Sequence, residues 1–364
     1  RCHRVTGVQT CALPISTEWA FFLLEVVTAL AWVATWEKVS PKTHLLLIRL
    51  YAFAAFLSLV VIQGILGFML TPGRFPSTAS FFDGFLNPTY LPGVLFRTGV
   101  CLALAAAWMA FAALREEDRA ARARLSRVLG GVGTLGLAVA AAGWFVWERA
   151  LPEPVQRLFL GEKPLLAALA TGRTHTFRIL LVAALLALLV TALPRLQSWP
   201  VALLALVACS GVLAGYERVR EGVRKPWVIA EQMFSNGVLV TEIDALNEKG
   251  ILSKAVWATK EAGGREVPTG EAVFRAECSS CHTRDGYLGI RQIASAMDAD
   301  FAATFLTALR DDGARWKARA AGQDVKPDYP FMPPFVGTDA ELEALAGWLA
   351  SQNAPRTAEV SRAR

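Results

Sequence analysis

Residues Arg275–Ile290 read RAECSSCHTRDGYLGI, with two cysteines three apart and a histidine directly after the second: Cys278, Cys281 and His282. Thiols at this spacing can both form thioether bonds to the two vinyl positions of one porphyrin. The adjoining imidazole then supplies an axial nitrogen to the iron. Two other chemistries use a Cys-x-x-Cys pair. A zinc site needs a second pair of ligands, and none follows downstream. A redox dithiol has no need of the histidine. The predicted chemistry is covalent attachment of one haem c.

A sixth iron ligand is expected some tens of residues on, in a loop facing the other side of the ring. YPFMPPFVG offers Met332, in a loop stiffened by Pro330, Pro333 and Pro334. A thioether sulfur is soft, favours ferrous iron and raises the potential. Met297, within SAMDAD, competes, but it lies only 15 residues past His282 in a stretch that reads as core helix. Met332 is therefore the expected ligand. With His282 and Met332 both in place, no iron position is left for a substrate.

These residues need elements to hold them. PTGEAVFRAECSSCH predicts a helix whose end presents both thiols. Thr338, with Glu341 three residues later, forms a capping box ahead of LEALAGWLAS. That helix is expected to pack Leu345, Trp348 and Leu349 onto the Gly270–Phe274 helix. The stretch Pro268–Asn353 resembles a small class I cytochrome c domain, with every element of that family in order. The domain is set at 265–355, followed by a disordered tail at 356–364. Residues 218–264 read as a polar linker with a short helix around Glu242–Glu248.

The rest of the chain is of a different kind. Of 364 residues, 54% are hydrophobic and only 19% charged, and the mean hydropathy of +0.38 is too high for an ordinary soluble protein of this size. Charge is sparse before Tyr216 and dense after it, so the net charge of +6 is weak evidence for a nucleic-acid partner, and none is expected. Six apolar stretches are long enough to cross a bilayer: Glu18–Trp36, Leu45–Leu70, Leu91–Leu114, Val128–Val146, Thr176–Leu193 and Trp199–Tyr216. The fourth is rich in Gly and Ala, which suits close helix packing in lipid. The expected fold is all-α: a six-helix transmembrane bundle at 17–217, then a small α-helical cytochrome c domain. Residues 1–16, RCHRVTGVQTCALPIS, lack a helical or strand period and resemble translated sequencing-adapter read-through. On that reading the true N-terminus is missing, and His3, Cys2 and Cys11 carry no meaning.

Orientation follows from basic residues in short loops. REEDRAARARLSR holds five arginines, and Lys38, Lys42 and Arg195 lie in the loops on the same side. Placing these in the cytoplasm puts the Cys-x-x-Cys-His segment outside. That agrees with the attachment of c-type haem on the periplasmic face in bacteria. The expected location is the bacterial inner membrane, multi-pass, with the haem domain in the periplasm. Within the spans, Glu25, Gln63, Arg97 and Arg178 fall at comparable outer depths. Polar groups there are costly and usually functional. The expectation is an ion-pair cluster in which Glu25 meets Arg97 or Arg178. The competing reading has each arginine reaching separately to the outer headgroups.

FFLLEVVTALAWVATWEKVSPKTH, FLNPTYLPGVLFRT, THTFRILL and REGVRKPWVI occur in this order. Together they resemble subunit I of the bd-type quinol oxidases, from that family's third helix onward, over about Trp19–Ile229. The family's Arg-x-Pro-Trp piece corresponds to Arg224–Trp227, and Glu25 to one of its membrane glutamates. The departures are as informative. The resemblance puts Arg97 where the family has a haem-ligating His, Leu180 in place of its Met, and Ala214 in place of a ligating Glu. The quinol-binding loop is cut to about 30 residues. Only His44 and His175 lie in or near the membrane half, on opposite faces. No b or d haem is expected within this fragment.

The combined reading is a membrane-anchored electron carrier within a respiratory complex. Its partners would be the lipid bilayer, electron donor and acceptor proteins or quinol, and further membrane subunits. The alternative is a quinol-oxidising or terminal-oxidase subunit, with extra haems ligated by missing N-terminal helices or partner chains.

Overall fold

The computed structural model describes residues 6–156, 164–261, 264–286 and 288–352, the side chains of 6–17, 154 and 164–169 excepted. The chain divides into two compact units between Arg224 and Lys225.

The first unit runs α1 (Thr6–Ala34), α2 (Pro41–Leu70), α3 (Phe75–Thr78), α4 (Phe81–Phe85), α5 (Tyr90–Ala113), α6 (Arg119–Ala150), α7 (Glu153–Gln156), α8 (Pro164–Ala192) and α9 (Trp199–Arg224). Among the described residues, five helices are long and apolar enough to cross a membrane: α2, α5, α6, the Ala170–Ala192 part of α8, and α9. Six were expected. The remaining stretch, Glu18–Trp36, is helical to Ala34 as the second half of α1 and is not among the five. From Thr6 on, the described residues of the segment expected to lack a helical or strand period are helical. Large apolar side chains such as Leu30, Phe53, Leu91, Trp108, Leu135 and Trp199 point outward. In water they would form patches far beyond those of a soluble monomer; lipid is the solvent that fits them.

Small residues let α5 and α6 meet backbone to backbone. A Cβ on Gly136 would lie 2.6 Å from Gly99 O, and one on Gly99 would lie 2.5 Å from Ala140 N. No larger side chain fits there. Toward one end, the fully buried Phe96, Trp144, Trp147 and Tyr216 form an aromatic core, with Tyr216 stacked on Phe96 at 3.8 Å. Ser40 caps α2, and the His44 ring lies against Trp32 and Trp36.

The second unit runs β1 (Trp227–Ile229), β2 (Met233–Phe234), α10 (Ile243–Lys249), α11 (Thr269–Glu277), α12 (Ile290–Ile293), α13 (Ala299–Ala320) and α14 (Asp339–Ser351). The antiparallel β1–β2 pair departs from the all-α expectation. Its cause is local: Trp227 and Ile229 alternate inward, and Trp227 stacks on Phe234 at 4.2 Å with both rings against Trp316. Part of the stretch read as a linker is therefore core. Trp227, Phe234, Val238, Ile243, Leu246, Ile251 and Ala258 are buried in one cluster with Val273, Leu306 and Leu345. Glu341 ties that segment to α14. Its carboxylate accepts from Ile251 N (2.9 Å), Leu252 N (3.0 Å) and, in the capping box, Thr338 N (3.0 Å).

Helices α11 and α14 cross at Gly270. A Cβ there would overlap Ala344 O and lie 2.6 Å from Trp348 Cβ, while Trp348 covers Phe274 at 4.5 Å. Gly270→Val is expected to force the two helices apart and destabilise the unit by about 1–3 kcal/mol. The check is its thermal unfolding midpoint; an unchanged value would show that the helices do not touch there.

Candidate functional site: a haem pocket

The end of α11 sets the geometry. Cys278 caps the helix through a hydrogen bond from its N–H to Phe274 O (2.9 Å). The chain then turns tightly, and Cys281 N and His282 N both donate to Cys278 O. Cys278, Cys281 and His282 thereby line one open pocket with about 460 Å³ of space, solvent included, which is also lined by Met332, between Phe331 and the prolines Pro333 and Pro334. Leu306 and Leu309 of α13 and Phe335 complete its apolar wall.

The donors suit a haem. His282 Nδ1 lies 3.0 Å from Leu288 O. A carbonyl can only accept, so Nδ1 carries the proton and Nε2 keeps its lone pair for iron, the usual arrangement for a ligating imidazole. Leu288 holds that carbonyl in left-handed backbone, φ +47°, a conformation costly for a branched residue unless the surroundings impose it. The Cys278 thiol is pushed well above its ordinary range, first by burial and then by the nearby Glu277 and Cys281. A reactive dithiol needs the opposite shift. Among the described residues no group of three or more His, Cys, Asp and Glu comes together to hold a bare metal ion. Met297 is not among the residues lining the cavity; it sits in a turn just ahead of α13 rather than in a helix. Those lining residues could hold a haem by two thioethers and two axial ligands.

The motif did not reveal two further groups. Glu277 is buried beside Cys278, and burial pushes its carboxyl up to about 8, against the Asn236 amide and the Val336 backbone, which favour the charged form. Asn236 Nδ2 donates to Glu277 Oε2 at 2.7 Å, and Ser235 Oγ lies 3.5 Å from Cys281 Sγ. Both partners come from the segment taken for a linker. A polar pair embedded between Phe234 and Val238 was the available signal.

In the first unit the expected polar cluster is only half assembled. Arg97 Nε donates to the buried Gln63 Oε1 at 2.8 Å. Arg97 pairs with neither Glu25 nor Arg178; its guanidinium meets Glu217, on α9. Glu217 is also held by the buried Arg220 at 2.9 Å, and Arg220 in turn meets Glu221, which bonds Arg224. Glu25 enters no ion pair among the described residues, and Arg178 is exposed. Equal depth in the bilayer brought these residues to one level but not to one face. The missed members show a sequence signal, YERVREGVR, in which acid and base alternate at helical spacing.

Residues 265–349 match the family described as cytochrome c oxidase, cbb3-type, subunit III. No curated protein and no solved structure matches the chain. The match covers less than a quarter of the sequence and makes the C-terminal part a cytochrome c domain, with haem binding and electron transfer as the properties it brings.

Proposed function

We propose that this cytochrome c domain, carried on apolar helices, makes the chain a membrane-anchored c-type cytochrome. It carries single electrons at the periplasmic face of a bacterial inner membrane, as part of a respiratory electron-transfer complex. The supporting observation is that Cys278, Cys281, His282 and Met332 all line one pocket. Haem c, when bound, supplies a one-electron iron couple. His282 and Met332 are the residues that would hold its iron, which would leave no position there for a substrate. The apolar wall of Leu306, Leu309 and Phe335 keeps water away, which favours the less charged ferrous state. The membrane unit acts as a scaffold resembling subunit I of the bd-type quinol oxidases. In place of the histidine of that family stands Arg97, bonded to Gln63 and Glu217.

A pyridine haemochrome spectrum of the purified full-length protein tests this reading. Haem c alone is expected. A b or d signal would favour the quinol-oxidising alternative.

Ferric iron bound by a thioether gives a weak far-red sulfur-to-iron charge-transfer band. Met332→Ala should remove that band and lower the potential, whereas Met297→Ala should leave both unchanged. The reverse pattern would overturn Met332 as the distal ligand.

A further inference from the structure

The loop that carries Met332 is poorly equipped to hold itself. Pro327, Pro330, Pro333 and Pro334 contribute no backbone N–H, so no regular ladder can fasten it. The fastening comes from α13. Asp312, 1% exposed, accepts from Asp328 N through Oδ1 and from Tyr329 N through Oδ2, both at 3.0 Å. Tyr329 O then accepts from Met332 N at 3.1 Å. Arg315, one turn further along α13, donates to Asp312 Oδ1 at 3.2 Å and also meets Asp328. The Tyr329 ring is held edge-on by Phe305, at 5.3 Å. Beyond the ligand, a Cβ on Gly313 would lie 3.6 Å from Pro334 Cβ, so α13 touches the loop on both sides of Met332. Leu306 and Leu309, about two turns and one turn before Asp312, wall the cavity itself.

We propose that Asp312 is the positioning residue of the distal ligand. Its carboxylate sets the height of the loop, and so of the Met332 sulfur, against the helix that walls the haem pocket. This inference rests on Met332 being that ligand. Two adjacent N–H donors and a guanidinium require a group that only accepts, and a carboxylate supplies two oxygens for them. Asparagine would keep the shape but turn an N–H₂ toward a donor. A loosened loop yields the iron more readily to an outside ligand, because less is lost when the sulfur leaves.

The test titrates the ferric, detergent-solubilised full-length holoprotein with imidazole and follows the far-red band. Asp312→Asn is expected to bind imidazole about tenfold tighter than the wild type, the equivalent of one weakened charged hydrogen bond. Arg315→Gln, at a half-exposed position, should shift the affinity in the same direction by less, and serves if Asp312→Asn does not fold. Glu341→Gln is the comparator, since that buried carboxylate also holds backbone N–H groups, three of them, but meets the loop only at its end, beside Gly337. It should lower the unfolding midpoint and leave imidazole affinity unchanged. An affinity unmoved in the Asp312 and Arg315 variants, or moved equally by Glu341→Gln, overturns the role of Asp312 while leaving Met332 in place. A band that survives Met332→Ala removes the ligand assignment, and the inference with it.

Discussion

Replacing Cys278 and Cys281 together with alanine is expected to abolish covalent haem and, with it, to lower the stability of the second unit. Both thiols border the pocket that His282 and Met332 also line. Without thioethers the ring would depend on His282 and Met332 alone. Without the ring, the apolar wall of that pocket loses its packing partner. Water entering the opening lessens that loss but cannot satisfy walls made of Leu306, Leu309 and Phe335. Either single replacement keeps one thioether and should keep a stained band on a denaturing gel. The double variant should show none, with a lower unfolding midpoint. A haem-stained band of normal intensity in the double variant would refute covalent attachment at this pair.

The haem site was legible because its chemistry is local. Two thiols and an imidazole within five residues need no knowledge of the fold, and the prolines around Met332 single it out as the proposed distal ligand; all four residues line one pocket. The capping box of Thr338 and Glu341 was equally local, and it is present at the start of α14. The segment after Arg224 was not legible. Its buried residues, Trp227, Phe234, Val240 and Ile251, sit on two- and three-residue strands and single 3₁₀ turns. Elements that short carry no period, so scattered apolar residues among charges read as linker. The membrane cluster failed for a different reason. Hydropathy gives depth along each span but not rotation about it. Glu25, Arg97 and Arg178 therefore seemed neighbours, while Glu217, at the polar end of a span, was counted as its boundary.

The rotation has energetic consequences that can be measured. Arg97, Arg220 and Arg224 set three guanidiniums against the carboxylates of Glu217 and Glu221, with Glu217 shared between Arg97 and Arg220. Removing one partner from a buried pair costs about 3–5 kcal/mol, because the other charge stays behind. The sharing makes the cost unequal. Arg97→Gln leaves Glu217 still bonded to Arg220, whereas Glu217→Gln leaves Arg97 with only the Gln63 carbonyl and raises the net positive charge of the group. Side chains of Arg97 and Glu217 are 18% and 30% exposed, so partial screening should place both effects toward or below the lower end of that range. Glu217→Gln is thus expected to lower the unfolding midpoint of the detergent-solubilised protein more than Arg97→Gln, and the double variant to lose less than the two singles added together. Glu25→Gln, at a residue outside every described ion pair, should stay within about 0.5 kcal/mol of the wild type. Additive losses in the double variant would show that Arg97 and Glu217 do not interact. A Glu25→Gln loss as large as that of Glu217→Gln would return Glu25 to the cluster.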